Sequence, residues 1–205
     1  MTTYRIAVLG AGNIGGTLGG KWMAAGHAVT FGVRDPSSTR TQALQTRLGG
    51  SAVVGSMAQA LEGAEVVLFA IPGAMMEETI APLAAQLENK VIIDAANNLS
   101  GGPINSLAAF RAHAPHASVY RAFNIYGWEN FADPLYNGVQ ADLFYSGPDG
   151  QTRAVIEQLI SEIGLQPVRM GDTDQADLVD SLLRFWFTLS QRRGSRHLAL
   201  KLLTR

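Results

Sequence analysis

Cysteine is absent from the 205-residue sequence. This absence excludes disulfide bonds, thiolate metal sites and cysteine nucleophiles. It is typical of proteins that work in a reducing compartment. The first twelve residues, MTTYRIAVLGAG, contain no basic stretch followed by an apolar leader and a cleavage site. Together these features favour a cytoplasmic protein.

The sequence also lacks an excess of charge of one sign and any long apolar run. Sixteen basic residues balance seventeen acidic ones without forming a basic stripe, so we expect no nucleic-acid partner. No apolar run approaches the ~20 residues that cross a bilayer, so we expect no membrane partner. His113 and His116 are separated by Pro115 and have no third ligand nearby, so we expect no metal site.

Glycine, by contrast, is abundant, and one cluster of it fits the pattern G-x-G-x-x-G between a short apolar run and an amphipathic segment. In such a loop Gly10 allows a tight turn, Gly12 lets a pyrophosphate approach the backbone, and Gly15 lets the helix pack closely. The helix N-terminus, with the amides of Asn13 and Ile14, presents free N–H groups to the phosphates. The loop therefore predicts a dinucleotide site.

Short apolar runs alternate with helix-like segments along the rest of the chain, which predicts an α/β fold of the Rossmann type. We expect a doubly wound, mostly parallel sheet in one domain, residues 1–205, with a core at 1–125 and an extension at 139–205 that completes the sheet. The predicted strands are 4–9, 27–31, 52–54, 65–71, 90–94, 118–123, 139–146 and 165–170. The first predicted helix follows the glycine-rich loop and ends at residue 25. The other predicted helices cover 41–48, 56–61, 74–87, 106–113, 153–163 and 174–191. Residues 126–138 are expected to form an aromatic loop.

The residues after the second strand bear on the choice between NADP and NAD. NAD-binding members of this fold usually carry an acid at the end of that strand, and here the position is followed by Arg34. Arginine forks onto a 2′-phosphate, and Ser37, Ser38 and Arg40 add nearby donors. This arrangement favours NADP. Asp35 is the opposing feature, because a turn displaced by one residue would bring it to the ribose hydroxyls.

The N-terminal run IAVLGAGNIGGTLGGKWMAAGHAVTFGVRDP resembles the NADP oxidoreductases that depend on coenzyme F420. The resemblance extends over nearly the whole chain. It includes FAIP at 69–72, IDAAN at 93–97, RAFN at 121–124, ISEIGLQPVRMG at 160–171 and DLVDSLLRF at 177–185.

The resemblance implies that NADP(H) lies across the carboxyl ends of the strands, with the electron acceptor over the nicotinamide. By position, Ile71, Pro72, Ala96 and Asn97 would line the nicotinamide side. Phe123, Asn124 and Ile125 would face the acceptor pocket.

Asn124 stands where some deazaflavin-using members have a histidine, so the acceptor stays open between F420, a flavin such as FMN or FAD, a quinone, a metal chelate and a small carbonyl. Tyr126 is a candidate proton donor, although a core or rim position explains a tyrosine there as well. Asn97 and Asn124 sit at strand ends where ligands bind, and they serve equally well as turn residues.

Three functions remain open. The first is an NADPH-dependent reductase that passes hydride to a deazaflavin or flavin. The second is a reductase of a small imine or carbonyl, and the third is a non-catalytic redox sensor. The final predicted helix is too apolar for one exposed face, so it either packs across the sheet or pairs in a homodimer.

Overall fold

The computed structural model describes residues 2–204 and has the expected α/β architecture. The strands are β1 (Arg5–Leu9), β2 (Ala28–Val33), β3 (Val53–Ser56), β4 (Val66–Phe69), β5 (Val91–Asp94), β6 (Ser118–Arg121), β7 (Leu135–Tyr136), β8 (Val139–Gln140), β9 (Asp142–Tyr145) and β10 (Gln166–Arg169). The α-helices are α1 (Asn13–Ala24), α2 (Thr39–Arg47), α3 (Met57–Leu61), α4 (Met76–Leu87), α5 (Leu107–His113), α6 (Trp128–Ala132), α7 (Gln151–Ile163) and α8 (Ala176–Arg193).

The main sheet contains six parallel strands in the order β3-β2-β1-β4-β5-β6. The direction of winding reverses between β1 and β4, and ligands of such sheets bind outside the carboxyl ends of the strands at this point. The glycine-rich loop follows β1, so the topology places it at the reversal. The predicted doubly wound parallel fold is confirmed.

Burial on both faces explains why the strands have continuous apolar sequences. Ile6 and Val8 belong to a core on one side of the sheet, while Ala7 and Leu9 belong to a separate core on the other side. Alternate side chains of a strand point to opposite faces, so both sets must be apolar when helices cover both faces. The sheet is therefore a rigid base for the loops at its carboxyl edge.

The C-terminal extension was expected to complete the main sheet, but its strands form a small sheet of their own. β9 pairs with β10 in parallel, and a single antiparallel bridge between Arg121 and Ser146 joins this pair to the end of β6. The predicted strand 139–146 is divided, because its first part turns back on β7 as the hairpin strand β8. Residues 126–138, expected to be a loop, contain α6 and β7.

Two further features concern the helices. α4 runs through Pro82 without a break. Within residues 2–204, no helix combines the length and apolar character needed to cross a membrane.

Candidate active site

The glycine-rich loop has the geometry that its sequence predicts. Gly10 has φ of +119°, a conformation that other residues rarely adopt. A Cβ there would overlap the carbonyl oxygen of Ala70, which directly follows β4. A Cβ on Gly15 would overlap the Gly10 carbonyl and press on Val8, so this glycine lets α1 approach the sheet. A Cβ on Gly12 would meet no atom within 4 Å. The open space beside Gly12 is where a ligand can approach the backbone.

The N-terminus of α1 carries unused donors next to that space. Gly12 is the N-cap residue, no side chain caps the helix, and its first turn contains no acid. The first amides of a helix have no partner within the helix, and they favour anions together with the helix dipole. The amides of Asn13 and Ile14 therefore fit a pyrophosphate, which is the group that the sequence pattern predicts here.

A cavity of about 320 Å³, which we call the loop cavity, opens beside the glycine-rich loop. It is lined by Gly10, Ala11, Gly12, Val33, Arg34, Asp35, Ser38, Arg40, Thr41, Met57, Ala70, Ile71 and Pro72. Arg34 and Arg40 are both exposed, and neither forms an ion pair within residues 2–204. Their guanidinium groups are available for a phosphate.

The neighbouring hydroxyl groups are engaged in local structure. Ser37 donates its hydroxyl and its amide to the Asp35 carboxylate at 2.6 and 2.8 Å, and these bonds lower the pKa of Asp35. Ser38 caps α2 by accepting from the Thr41 amide. The loop cavity thus presents one carboxylate and two guanidinium groups.

A second cavity, of about 410 Å³, continues from the first over the carboxyl ends of β4, β5 and β6. We call it the aromatic cavity. It is lined by Gly12, Asn13, Ile14, Arg40, Ala70, Pro72, Ala95, Asn97, Phe123, Tyr126, Gly127, Trp128, Leu183, Trp186, Phe187 and Arg196. Four of these residues also line the loop cavity: Gly12, Arg40, Ala70 and Pro72. The two cavities form one cleft along the glycine-rich loop.

The residues predicted for the nicotinamide side do not all line the same cavity. Pro72 and Asn97 line the aromatic cavity, whereas Ile71 lines only the loop cavity. Ala96 is buried and lines neither cavity, and its neighbour Ala95 takes the lining position. The alternation of side chains after β5 accounts for this one-residue difference.

A buried guanidinium ties together the loops that border the aromatic cavity. Arg121 is fully buried at the end of β6 and contacts the Asp94 carboxylate at 3.2 Å. Its Nη1 donates to the carbonyl oxygens of Asp94 and Ala96, and its Nη2 donates to Oδ1 of Asn97 at 2.6 Å. Its Nε donates to Asp180 of α8 at 2.8 Å. Arg121 therefore fixes the end of β5 and the start of the following loop against α8.

Asp180 is the acceptor on which this network converges. Its Oδ1 also accepts from Asn124 Nδ2 at 2.9 Å, and its Oδ2 accepts from Asn105 Nδ2 at 2.8 Å. Asn97 in turn donates to the Asn124 carbonyl oxygen at 2.8 Å. Asp94 carries the second carboxyl of the network. Its burial raises its pKa in spite of the nearby Arg121 charge.

The two candidate catalytic residues have structural partners. Asn124 is buried and is not among the cavity-lining residues, and its Nδ2 is held by Asp180. Tyr126 lines the aromatic cavity, but its hydroxyl donates to the Asp142 carbonyl and accepts from the Leu200 amide. Burial also raises the pKa of Tyr126 strongly. The Tyr126 hydroxyl is thus committed to holding the C-terminal segment.

Phe123 is a site residue with an unusual backbone. It has φ of +60°, although it is bulky, and such a conformation costs about 1–3 kcal/mol. Its ring packs edge-on against Trp22 and Phe131 with centroid separations of 5.8 and 5.6 Å, which holds it in place. Strain of this kind, at a residue that lines a cavity, is typical of functional sites.

Sequence reasoning missed the roles of Arg121 and Asp180. A signal exists for Asp180, because it is an acid on the helix face that also carries Val179 and Leu183. A charge on a buried face needs a charged partner. No local pattern identifies that partner, which lies 59 residues away.

Comparison with known proteins agrees with this geometry. Residues 5–98 match the model of the family described as NADP oxidoreductase, coenzyme F420-dependent. The chain is similar to the crystal structure of a candidate F420-dependent NADP-reductase from Arthrobacter sp. FB24, with 26% identity and a TM-score of 0.85 over 98% of this chain and 100% of that one. A hypothetical protein from Sinorhizobium meliloti matches with 27% identity and a TM-score of 0.67 over 100% and 97%.

A more distant similarity concerns the fold alone. A reductive aminase from Aspergillus terreus, solved with NADPH and ethyl-5-oxohexanoate, matches with 19% identity and a TM-score of 0.64. The match covers 93% of this chain but only 64% of the aminase.

The network predicts a large effect of Asp180→Ala. This change leaves the buried Arg121 guanidinium without its α8 partner, and breaking such a pair costs about 3–5 kcal/mol of unfolding free energy. Arg184→Ala, one turn later on the exposed side of α8, is the control and should stay within about 0.5 kcal/mol. Urea unfolding of both variants measures the difference. Equal stabilities would show that α8 is not held by this ion pair.

Proposed function

We propose that this chain is an NADP-dependent oxidoreductase that transfers hydride between NADP(H) and a flat deazaflavin or flavin-type acceptor. The match of residues 5–98 to the model of the coenzyme F420-dependent NADP oxidoreductase family supports this proposal. The observation that carries the proposal is the continuity of the loop cavity with the aromatic cavity. A dinucleotide that lies along the glycine-rich loop would place one end in each cavity.

The residues of the loop cavity would bind the phosphate groups. The amides at the start of α1 suit the pyrophosphate, and Arg34 and Arg40 suit a 2′-phosphate. Pro72 and Asn97 would border the nicotinamide, since they line the aromatic cavity beyond the loop. Bound NADPH supplies the hydride, and the protein supplies binding, orientation and surroundings of low polarity.

The aromatic cavity favours a flat acceptor. Its walls include five aromatic side chains, which are those of Phe123, Tyr126, Trp128, Trp186 and Phe187. Such rings stack on planar ligands and hold them in one orientation. Reduction of a carbonyl would also require a proton donor at the forming alkoxide. The tyrosine in the cavity has its hydroxyl committed to two backbone groups.

The second candidate is reduction of a small imine. It is favoured by the fold shared with the reductive aminase, which extends over 93% of this chain. About a third of the aminase has no counterpart here, because the match covers 64% of it. A non-catalytic sensor of the dinucleotide is the third candidate.

An acceptor panel tests the proposal. NADPH and NADH are offered separately, with F420, FMN, FAD, a ferric chelate or a cyclic imine as acceptor, and cofactor oxidation is followed by absorbance. We expect NADPH oxidation with a deazaflavin or flavin, well above the rate without acceptor. Turnover with the imine alone would establish the second candidate. Tight NADPH binding without turnover of any acceptor would favour the sensor.

Arg34→Ala tests the choice of dinucleotide. Loss of a charged hydrogen bond to the 2′-phosphate should cost about 1.5–3 kcal/mol, so the Kd for NADPH should rise about tenfold or more while that for NADH changes little. Asp35→Asn keeps an acceptor for Ser37 but removes a negative charge, and it should tighten NADPH binding. Fluorescence titration gives both constants. Equal losses for NADPH and NADH in Arg34→Ala would contradict the assignment.

α8 also supports a homodimer as the assembled form. Its outward side carries an apolar ridge of Leu178, Leu182, Phe185 and Leu189, with Leu178 46% and Phe185 50% exposed. The spacing of four, three and four residues matches the seam of a helix pair. Two copies of one ridge are self-complementary about a two-fold axis, which is the commonest symmetry of oligomers. We propose that α8 pairs with α8 of a second copy.

Sedimentation velocity at micromolar concentration tests the homodimer. The unchanged protein should sediment as a dimer, and Phe185→Glu should sediment as a monomer because it places a charge in the seam. Gln191→Glu, on the side of α8 away from the ridge, is the control and should remain dimeric. A monomeric unchanged protein would remove the homodimer proposal.

A further inference from the structure

Arg196 occupies a position in the cleft outside the loop cavity. The charged residues that line the aromatic cavity are Arg40 and Arg196. Arg40 also lines the loop cavity, where it suits the cofactor phosphate. Arg196 lines the aromatic cavity alone, together with Trp128 and Trp186. The acceptor end of the cleft therefore has aromatic walls and one guanidinium of its own.

Several contacts hold the Arg196 guanidinium at the cavity. Its Nε donates to Glu129 Oε1 of α6 at 2.9 Å, and its carbon lies 5.1 Å from the centre of the Trp186 ring. A Cβ on Gly127 would overlap both the Glu129 carboxylate and the Arg196 guanidinium. The missing side chain of Gly127 thus makes room for this pair.

The residues that follow Arg196 are held to the rest of the chain by hydrogen bonds. Trp186 donates to the Leu198 carbonyl at 2.8 Å, and the Leu200 amide donates to the Tyr126 hydroxyl at 2.9 Å. Asp142 accepts from the Leu202 amide and from Lys201 at 2.6 Å each. These contacts fix the chain beyond α8, and from this segment Arg196 lines the aromatic cavity.

The hydrogen bond to Glu129 uses Nε, and within residues 2–204 the two Nη atoms of Arg196 donate to no other group. A guanidinium held through one nitrogen beside aromatic rings suits a ligand that combines a flat ring with an anionic group. We propose that Arg196 is a specificity residue that selects acceptors bearing a phosphate or a similar anion over the same ring without one. This inference rests on the proposed transfer to a ring-type acceptor.

Matched acceptor pairs test the inference. FMN and riboflavin share a ring and differ in the phosphate, and F420 and its phosphate-free deazariboflavin differ in the anionic tail. Each compound is titrated into the NADP⁺-loaded protein by fluorescence, and kcat/KM is measured with NADPH. The variants are Arg196→Met and Arg196→Lys, with Arg192→Met on the exposed part of α8 as the charge-matched control.

In the unchanged protein the anionic member of a pair should bind about tenfold or more tightly than its neutral partner, as expected for a charged hydrogen bond. Arg196→Met should abolish this preference by weakening the anionic member alone, Arg196→Lys should keep part of it, and Arg192→Met should keep all of it. The Kd for NADPH should stay constant throughout, which separates Arg196 from the cofactor site.

Equal losses for both members of a pair would overturn the inference, because they indicate a packing role. Absence of any preference, or of any binding, in the unchanged protein would overturn it as well. Turnover of ring acceptors without an effect of Arg196→Met would leave the proposed reductase function and remove this inference. If the protein binds the anionic member more tightly through Arg196 but turns over neither member, this inference stands and the proposed reductase function is removed.

Discussion

The buried guanidinium of Arg121 is the contact on which the cleft depends. It joins the end of β5, the end of β6 and α8 in one network that excludes water. A charge in such a position is costly unless every donor finds an acceptor. Here its donors are taken by the carboxylates of Asp94 and Asp180, two backbone carbonyls and the Asn97 amide oxygen. The requirement to satisfy this group fixes the loops that carry Asn97 and Phe123.

Rigidity at the strand ends would let a small chain hold the two ligands of the proposed reaction in register. The loop cavity is formed by residues between positions 10 and 72, and the aromatic cavity is completed by α6, α8 and the segment after α8. Tyr126 and Asp142 connect that segment to the rest of the chain. The acceptor end of the cleft is therefore built by residues far apart in sequence, whereas the cofactor end is local.

This difference decides what could be predicted from the sequence. The strands of the main sheet and the turn at Gly10 are local consequences of apolar runs and of backbone geometry, and both were predicted. The pairing of Arg121 with Asp180 and the position of Arg196 depend on packing between distant segments, and no local spacing encodes them. The same limit applies to Tyr126. Its place in the chain suggests a proton donor, but its hydroxyl accepts a hydrogen bond from the Leu200 amide. Residues 126–138 were expected to be a loop because α6 and the β7–β8 hairpin are too short for a periodic signal.

A crystal structure of the NADP⁺ complex tests the central claim most directly, namely that one cleft holds the cofactor lengthwise and presents its nicotinamide to the aromatic cavity. We predict the 2′-phosphate at Arg34 and Arg40, the pyrophosphate at the amides of Asn13 and Ile14, and the nicotinamide between Pro72 and Asn97. A nicotinamide outside the aromatic cavity, or a 2′-phosphate away from both arginines, would contradict the claim.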